Sequence, residues 1–337
     1  PVNIAGLTAV MNDLKADGNS VLLVDHDTQI LSEADWIIEM GPDAGAEGGR
    51  VIAEGTVPRL AANPASRIGP FLSGKEQARM RPPVPEEELF AEGKIRLSTG
   101  AIHTVKPLEA VIPKGRLTAV TGVSGSGKTT LILESLIPAL ESSIAGTKLP
   151  PHVKAAEAPG IGRVKLIDAT PIGINVRSTV ATYAGVHDEL RKIFARTPDA
   201  KRLGYKAGDF SYNTGKLRCP TCDGTGSISL DVQFLPDVEI PCPECRGSRY
   251  AREAERVKHA DKSGQAFSLP ELMAMDIRTA LSACGGMKLV RQRLEVLQSL
   301  GLGYLTLGEA TPSLSGGEAQ RLKLASEMGR GQADTVF

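Results

Sequence analysis

The chain has 337 residues, enough for two or three domains, each with its own core. Lys and Arg number 39 and Asp and Glu 39, so the net charge is zero and no global basic field announces a nucleic-acid partner; such affinity must come from local clusters. No run approaches the roughly 18 apolar residues that span a bilayer, and the start of the chain lacks the basic residues and long apolar core of a secretory signal, so no membrane partner is expected.

In chain order, Ile4, Leu7, Val10, Met11 and Leu14 have helical spacing, and Asp17-Gly18-Asn19 makes a turn. The apolar run Ser20–Val24 predicts a buried strand ending at Asp25-His26-Asp27. A helix around Thr28–Ala34, a strand near Trp36–Met40, turns at Gly41-Pro42 and Gly48-Gly49, and a strand over Arg50–Gly55 follow. Residues 1–70 therefore read as the end of an α/β cassette, and residues 71–90, with Arg81-Pro-Pro-Val-Pro-Glu-Glu-Glu88, as a linker. Residues 91–150 open a second cassette: Leu117–Thr121 is the expected strand, and Thr130–Ala139 starts a helix. Residues 151–275 read as an insertion and 276–337 as a helical region. The expected fold class is thus α/β, with P-loop ATPase cassettes and an inserted metal module.

Between that strand and helix lies Gly122-Val-Ser-Gly-Ser-Gly-Lys128-Thr129. Its glycines (Gly122, Gly125, Gly127), with Ser124 and Ser126, let the backbone fold around phosphates with N–H groups turned inward. Lys128 supplies charge to the β- and γ-phosphates of ATP, and Thr129, followed by Thr130, offers a hydroxyl to Mg²⁺. Leu314-Ser-Gly-Gly-Glu318, with Ser315, Gly316 and Gly317, opens a helix running to Met328; a capped helix N-terminus is an anion site.

Cys219-Pro-Thr-Cys222 and Cys242-Pro-Glu-Cys245 are separated by 19 residues, the pattern of a tetrahedral four-cysteine Zn²⁺ site. Each pair runs on to a glycine, Gly224 or Gly247, which permits a knuckle turn, and the stretch from Ser227 through Phe234 to Ile240 reads as a hairpin. Cys284 stands alone and reads as a small core residue. Lys and Arg are dense from Arg191 to Arg218, which alone describes a solvated surface.

Together these motifs resemble the UvrA family, the damage-recognising component of the bacterial UvrABC excinuclease. The likeness rests also on Asp168-Ala-Thr-Pro-Ile-Gly173, Ala181-Thr-Tyr183, Phe234-Leu-Pro-Asp237, Gly301-Leu-Gly-Tyr304 and Leu314–Ser326. It implies an ABC-type ATPase of nucleotide excision repair in the cytoplasm, a homodimer that recognises lesion-bearing double-stranded DNA and loads the excinuclease B subunit. By position, it implies that Gly122–Thr130 bind ATP, that Leu314–Glu318 complete the first cassette's nucleotide site, and that His26 is that cassette's switch histidine. A strand-end histidine bonded locally is the plain alternative. Basic residues near the insertion would touch DNA, with Arg177, Arg191, Lys201 and Lys206 as candidates for phosphate contacts.

The sequence departs from the family pattern at Ala169, where a glutamine is usual, at Asp209 before Phe210-Ser-Tyr-Asn213, where a basic residue is common, and at Ile174-Asn-Val-Arg177. These point to a divergent subgroup, and a related ATPase conferring resistance to DNA-binding drugs is one alternative. Both Walker B strands and the first P-loop are absent from the string, so a fragment deficient in hydrolysis is expected. Cys219-Pro-Thr-Cys-Asp-Gly-Thr-Gly226 also matches the repeat of DnaJ-like cochaperones, which makes a zinc-stabilised chaperone module the other alternative.

Overall fold

The computed structural model describes residues 2–77, 81–173, 175–230, 238–260, 264–328 and 334–337. Ile174, the Phe234–Asp237 string with the middle of the expected hairpin, and Ala333 lie outside the described residues. The chain divides into two compact units, Pro1–Leu166 with Gln332–Phe337, and Ile167–Gly331.

The first unit opens with helix α1 (Val2–Ala16), which the expected apolar spacing forms and which Gly18, at φ 85°, turns out of. Helix α2 (Thr28–Leu31) starts at Asp27, whose carboxylate accepts from the Gln29 amide at 2.8 Å. Strands β1 (Ile37–Gly41) and β2 (Arg50–Gly55) pair antiparallel. Their inward residues Ile37 and Ala53 pack on Leu60 of α3 (Val57–Ala62) and Leu72 of α4 (Gly69–Leu72).

A second core in this unit carries the phosphate loop. Strands β3 (Lys94–Thr99) and β4 (Leu108–Pro113) precede the loop, and a helix follows it, wide-turned over Thr130–Leu136 and α-helical over Ile137–Ala145 (α5). Pro138 accounts for the wide turn: it has no N–H to give the Glu134 carbonyl, and its ring would crowd that carbonyl in a regular helix. Strand β5 (Val153–Glu157) completes a three-stranded sheet in the order β4-β3-β5, antiparallel throughout. Strand alternation turns Ile95 and Leu97 of β3 onto Leu136, Ala139 and Leu140 of the helix. Burying each of the larger side chains contributes roughly 2 kcal/mol. The last residues return here, with Thr335–Val336 parallel to β6 (Arg163–Val164).

Two expected strands are corrected. Ser20–Val24 and Leu117–Thr121 pair with no strand among the described residues. Leu22, Val24 and Leu117 are about nine-tenths exposed, at 92%, 95% and 89%. Both runs have strand composition, but a strand exists through the hydrogen bonds of a neighbour, and none reaches either run.

The second unit is helical around one large core. Helices α6 (Val180–Tyr183), α7 (Val186–Phe194) and α8 (Pro198–Leu203) come first. A hairpin of β7 (Ser227–Leu230) and β8 (Val238–Pro241) follows, then a second of β9 (Lys258–Ala260) and β10 (Ala266–Ser268). Helices α9 (Leu269–Ala274), α10 (Ile277–Ala283), α11 (Lys288–Ser299) and α12 (Gly316–Glu327) close the unit. Val186, Leu190 and Phe194 recur every four residues and face a core with Phe210, Tyr212, Leu272, Ile277 and Leu294. Cys284 is fully buried there. Among the described residues no helix is long and apolar enough to cross a membrane.

Candidate metal centre and phosphate-binding elements

The four paired cysteines converge. Their sulfurs all lie within 4.8 Å of one another, with Cys219 and Cys242 at 3.9 Å and Cys222 and Cys245 at 3.6 Å. These are not disulfides, which need about 2.05 Å. A tetrahedral ion with metal–sulfur bonds of about 2.3 Å sets sulfur–sulfur edges of about 3.8 Å, close to both pairs. Cys222 is held low, to about 7: burial raises its pKa, but the Gly226 amide and the Cys245 thiol more than offset it. Cys245 is pushed up to about 12, by burial first and by the neighbouring thiols. Four such thiols ionise together only around a cation, so the donor set fits Zn²⁺.

Two matching turns build the centre. Asp223 and Arg246, each just after a pair, take φ of 51°, and Gly224 and Gly247 follow at 78° and 89°. At Gly224 a Cβ would stand 1.8 Å from the Tyr212 carbonyl oxygen, so only glycine fits. Strands β7 and β8 join the knuckles, with the Cys242 amide on the Gly226 carbonyl at 2.9 Å.

In the phosphate loop Lys128 folds back, its Nζ donating to the carbonyls of Gly122 at 2.8 Å and Val123 at 2.7 Å. The ammonium therefore sits inside the loop, where phosphate oxygens can replace the carbonyls. Gly122, Ser124, Gly125, Ser126 and Thr129 are exposed, and Gly127 and Thr130 half-buried. Gly127 has φ of 88°, and a Cβ there would meet Val105 at 2.3 Å, so the turn is glycine's by conformation and by space. His103, which lies outside the motif, bonds Glu134 of the following helix at 2.9 Å, and Thr130 donates to the same carboxylate at 3.1 Å.

At the signature, Ser315 caps α12. Its amide donates to Glu318 at 2.7 Å and its hydroxyl accepts from the Glu318 amide at 3.4 Å. Tyr304 donates to the other Glu318 oxygen. Burial opposes ionisation of Glu318, but these bonds outweigh it and hold the carboxyl below its usual range. Leu314 is buried, and Gly317 has open space where a Cβ would stand. Lys323 reaches the Asp168 carboxylate, the Thr170 carbonyl at 2.9 Å and the Thr170 hydroxyl at 3.0 Å. The Lys323 ammonium first, then the Thr170 hydroxyl donating at 2.8 Å, hold the Asp168 carboxyl low. Ala169 thus lies beside the signature, its carbonyl oxygen 3.3 Å from where a Cβ on Gly316 would stand. The sequence reading passes over Lys323, although helical spacing from Ala319 puts it on the half-buried stripe.

His26 is exposed in a turn where Asp25 accepts from the amides of His26 at 2.7 Å and Asp27 at 2.9 Å. Of the basic candidates, Arg177 is paired with Asp223 at 2.7 Å, and Arg191 with Asp188. Lys201 and Lys206 are exposed. Asp209 accepts from the Lys206 amide at 2.8 Å, so its charge serves a backbone turn.

No family model matches the chain. UvrABC system protein A of Thermus thermophilus is 40% identical over 327 residues, 96% of this chain and 33% of that protein. The same-named protein of Bacillus subtilis is 40% identical over 325 residues, with the same two shares. That of Aquifex aeolicus is 38% identical over 337 residues, 98% of the chain and 35% of that protein. The crystal structure of UvrA2 from Deinococcus radiodurans matches with a TM-score of 0.83 at 36% identity, over 97% of this chain and 38% of that one. The chain thus spans about a third of the length of the curated relatives it matches. In sequence and in fold, nearly the whole chain thus matches about a third of UvrABC system protein A.

Proposed function

We propose that this chain is the nucleotide-holding and zinc-stabilised part of the DNA-damage recognition component of the UvrABC excinuclease, an ABC-type ATPase of nucleotide excision repair. The observation that carries the reading is the pairing of four convergent thiols with a complete phosphate loop in a chain aligned almost throughout with UvrABC system protein A.

In this reading Gly122, Ser124, Gly125, Ser126 and Gly127 cradle the phosphates of ATP, and Lys128 leaves its two loop carbonyls for the β- and γ-oxygens. Thr129, beside Thr130, offers its hydroxyl to Mg²⁺, which neutralises phosphate charge when bound. Leu314, Ser315, Gly316, Gly317 and Glu318 present a capped helix N-terminus to the γ-phosphate of a nucleotide held elsewhere in the assembly. His26 stands at the end of the Val21–Val24 run as the switch histidine of the other cassette. Cys219, Cys222, Cys242 and Cys245 hold Zn²⁺, which supplies structure and no chemistry.

DNA is met through phosphates. Lys201 and Lys206 are free to make such contacts, and Arg177 and Arg191 must exchange their carboxylates to join them. Damage is then sensed as altered duplex shape and deformability. A second copy, the excinuclease B subunit and a cytoplasmic setting belong to the same reading.

The test is binding to a duplex carrying one bulky adduct against the same duplex undamaged, at stated salt, with zinc present and then stripped. A zinc-dependent preference for the adduct is expected. Equal, purely salt-sensitive binding to both would remove damage recognition from this part of the protein.

A further inference from the structure

Arg249 is four residues past Cys245, 5% exposed, and held at φ 73°, a left-handed value unusual for a side chain of its size. Its carbonyl accepts from the Cys219 amide at 3.0 Å, joining the two knuckles through the backbone. Its guanidinium donates to the Val176 carbonyl at 2.9 Å and the Gly224 carbonyl at 3.4 Å, and stands 5.4 Å from the Tyr212 ring centre. Nε has no partner among the described residues. No carboxylate among these contacts neutralises the buried cation. Such an arrangement stabilises poorly and fixes register well, because one guanidinium nitrogen meets two carbonyls from separate segments.

The segment it grips leads to the signature. Next to Val176, Arg177 grips the first knuckle through Asp223. Ser178 then accepts from the Thr311 amide at 2.9 Å, Thr179 bridges Ala310, and the Val180 amide donates to Glu309 at 3.0 Å. Tyr212, under the Arg249 guanidinium, bonds Thr179 at 3.0 Å. Thr311 starts the turn that delivers Leu314 and the Ser315 cap. Two independent ties therefore run from the thiol cluster to segment 176–180, and one short ladder runs from there to the turn before α12.

We propose that Arg249 is a positioning residue that fixes the signature turn at Ser315 to the geometry of the zinc knuckles, so that metal occupancy sets how well ordered that turn is. This rests on the zinc site proposed above and adds a role for it at the nucleotide-facing end of the same unit. When the knuckles loosen, Val176 loses its guanidinium, the ladder from Ser178 to Thr311 loses its anchor, and the Ser315 cap frays. DNA contact and nucleotide contact are then coupled through one segment of backbone.

The experiment is residue-resolved amide hydrogen exchange on the full 337-residue chain, with zinc content measured in parallel. Zinc removal should speed exchange at 178–182 and 309–318 by about tenfold or more, while the amides of α11 stay protected. Arg249→Ala should keep one zinc, show faster exchange at 309–318 from the start, and lose most of the further response to zinc removal, the Arg177–Asp223 tie remaining; Arg249→Lys should restore part of the protection. Arg177→Gln, which cuts only the half-exposed tie, should give a smaller change of the same kind. A chain without bound zinc would sink the metal reading itself. Bound zinc with unchanged exchange at 309–318 on its removal, or full zinc dependence retained in Arg249→Ala, would overturn the relay and leave the metal reading intact.

Discussion

Removing the metal should unfold the knuckles, loosen the signature turn tied to them, and leave the cores of the two units in place. Among the described residues, the hairpin that joins the knuckles pairs four residues on each strand, Ser227–Leu230 with Val238–Pro241. Among the described residues, the apolar contact beside the four thiols is half-buried Ile228. A two-stranded hairpin is marginal in water by itself, and one isoleucine adds roughly 2 kcal/mol at most. Structural zinc, by contrast, supplies about 10–16 kcal/mol of apparent binding free energy. The balance for residues 219–250 is therefore set by the ion. Thiol counting makes this measurable, because the chain has 5 cysteines and Cys284 is fully buried in a different core. With zinc bound, a thiol reagent should find almost no reactive sulfur. With a chelator present, four should react quickly and Cys284 only on denaturation. Emission of the single tryptophan, Trp36 in the first unit, should not change. Four thiols that stay protected without metal would show that packing holds the cluster. Five reacting together would show that the module has no separate stability.

Further outcomes follow from the same geometry. Lys128→Ala removes a charged contact worth about 1.5–3 kcal/mol, so a fluorescent ATP analogue should bind roughly 10- to 100-fold more weakly in titration; unchanged affinity would remove the phosphate loop from nucleotide binding. Ser315→Ala removes the α12 cap and should cost about 1 kcal/mol, read as a lower denaturant midpoint for the second unit. His187 is buried against Tyr250 at 2.7 Å, and burial pushes its pKa down from 6.5 to about 3. The folded state therefore binds fewer protons than the unfolded one below pH 6.5, so stability falls as pH drops toward 3. Between pH 7.5 and 5.5 the wild type should lose about 1.4 kcal/mol that His187→Phe does not lose, followed by the helical circular-dichroism signal.

What the sequence makes legible is chemistry with short spacing. The phosphate loop, the two cysteine pairs and the Ser315–Glu318 cap each lie within a few residues, and each cap or turn forms from its own neighbours. What it hides depends on distant partners. Ser20–Val24 and Leu117–Thr121 have the composition of strands, but pairing is decided by segments far along the chain. The wide turn over Thr130–Leu136 needs the position of Pro138 within a continuing helix, not the mere presence of proline. Lys323 on Asp168, Tyr304 on Glu318 and Arg249 on Val176 span 155, 14 and 73 residues, and no local pattern announces them.

The same distinction revises how the basic run is read. Counted along the sequence, Arg177, Arg191, Lys201 and Lys206 are four equal candidates for DNA phosphate. In the fold they are two kinds of residue. Arg177 is shared with Asp223, which also binds Arg218 at 2.9 Å, and Arg191 is shared with Asp188 on its own helix. Lys201 and Lys206 face solvent. Taking Arg177 from Asp223 would also slacken the first knuckle, so DNA binding through it would be felt at the metal. Salt dependence separates the cases. Each phosphate contact contributes a slope of about −0.9 in log affinity against log salt, so the two lysines alone give about −1.8 and all four residues about −3.6. Duplex binding measured from 50 to 200 mM salt should give the shallower slope for undamaged DNA. Lys201→Ala with Lys206→Ala should flatten it nearly to zero. A slope near −3.6 in the wild type that falls only to about −1.8 with both substitutions would mean that phosphate outcompetes the carboxylates, and that the ion pairs of the free chain are resting states of the interface.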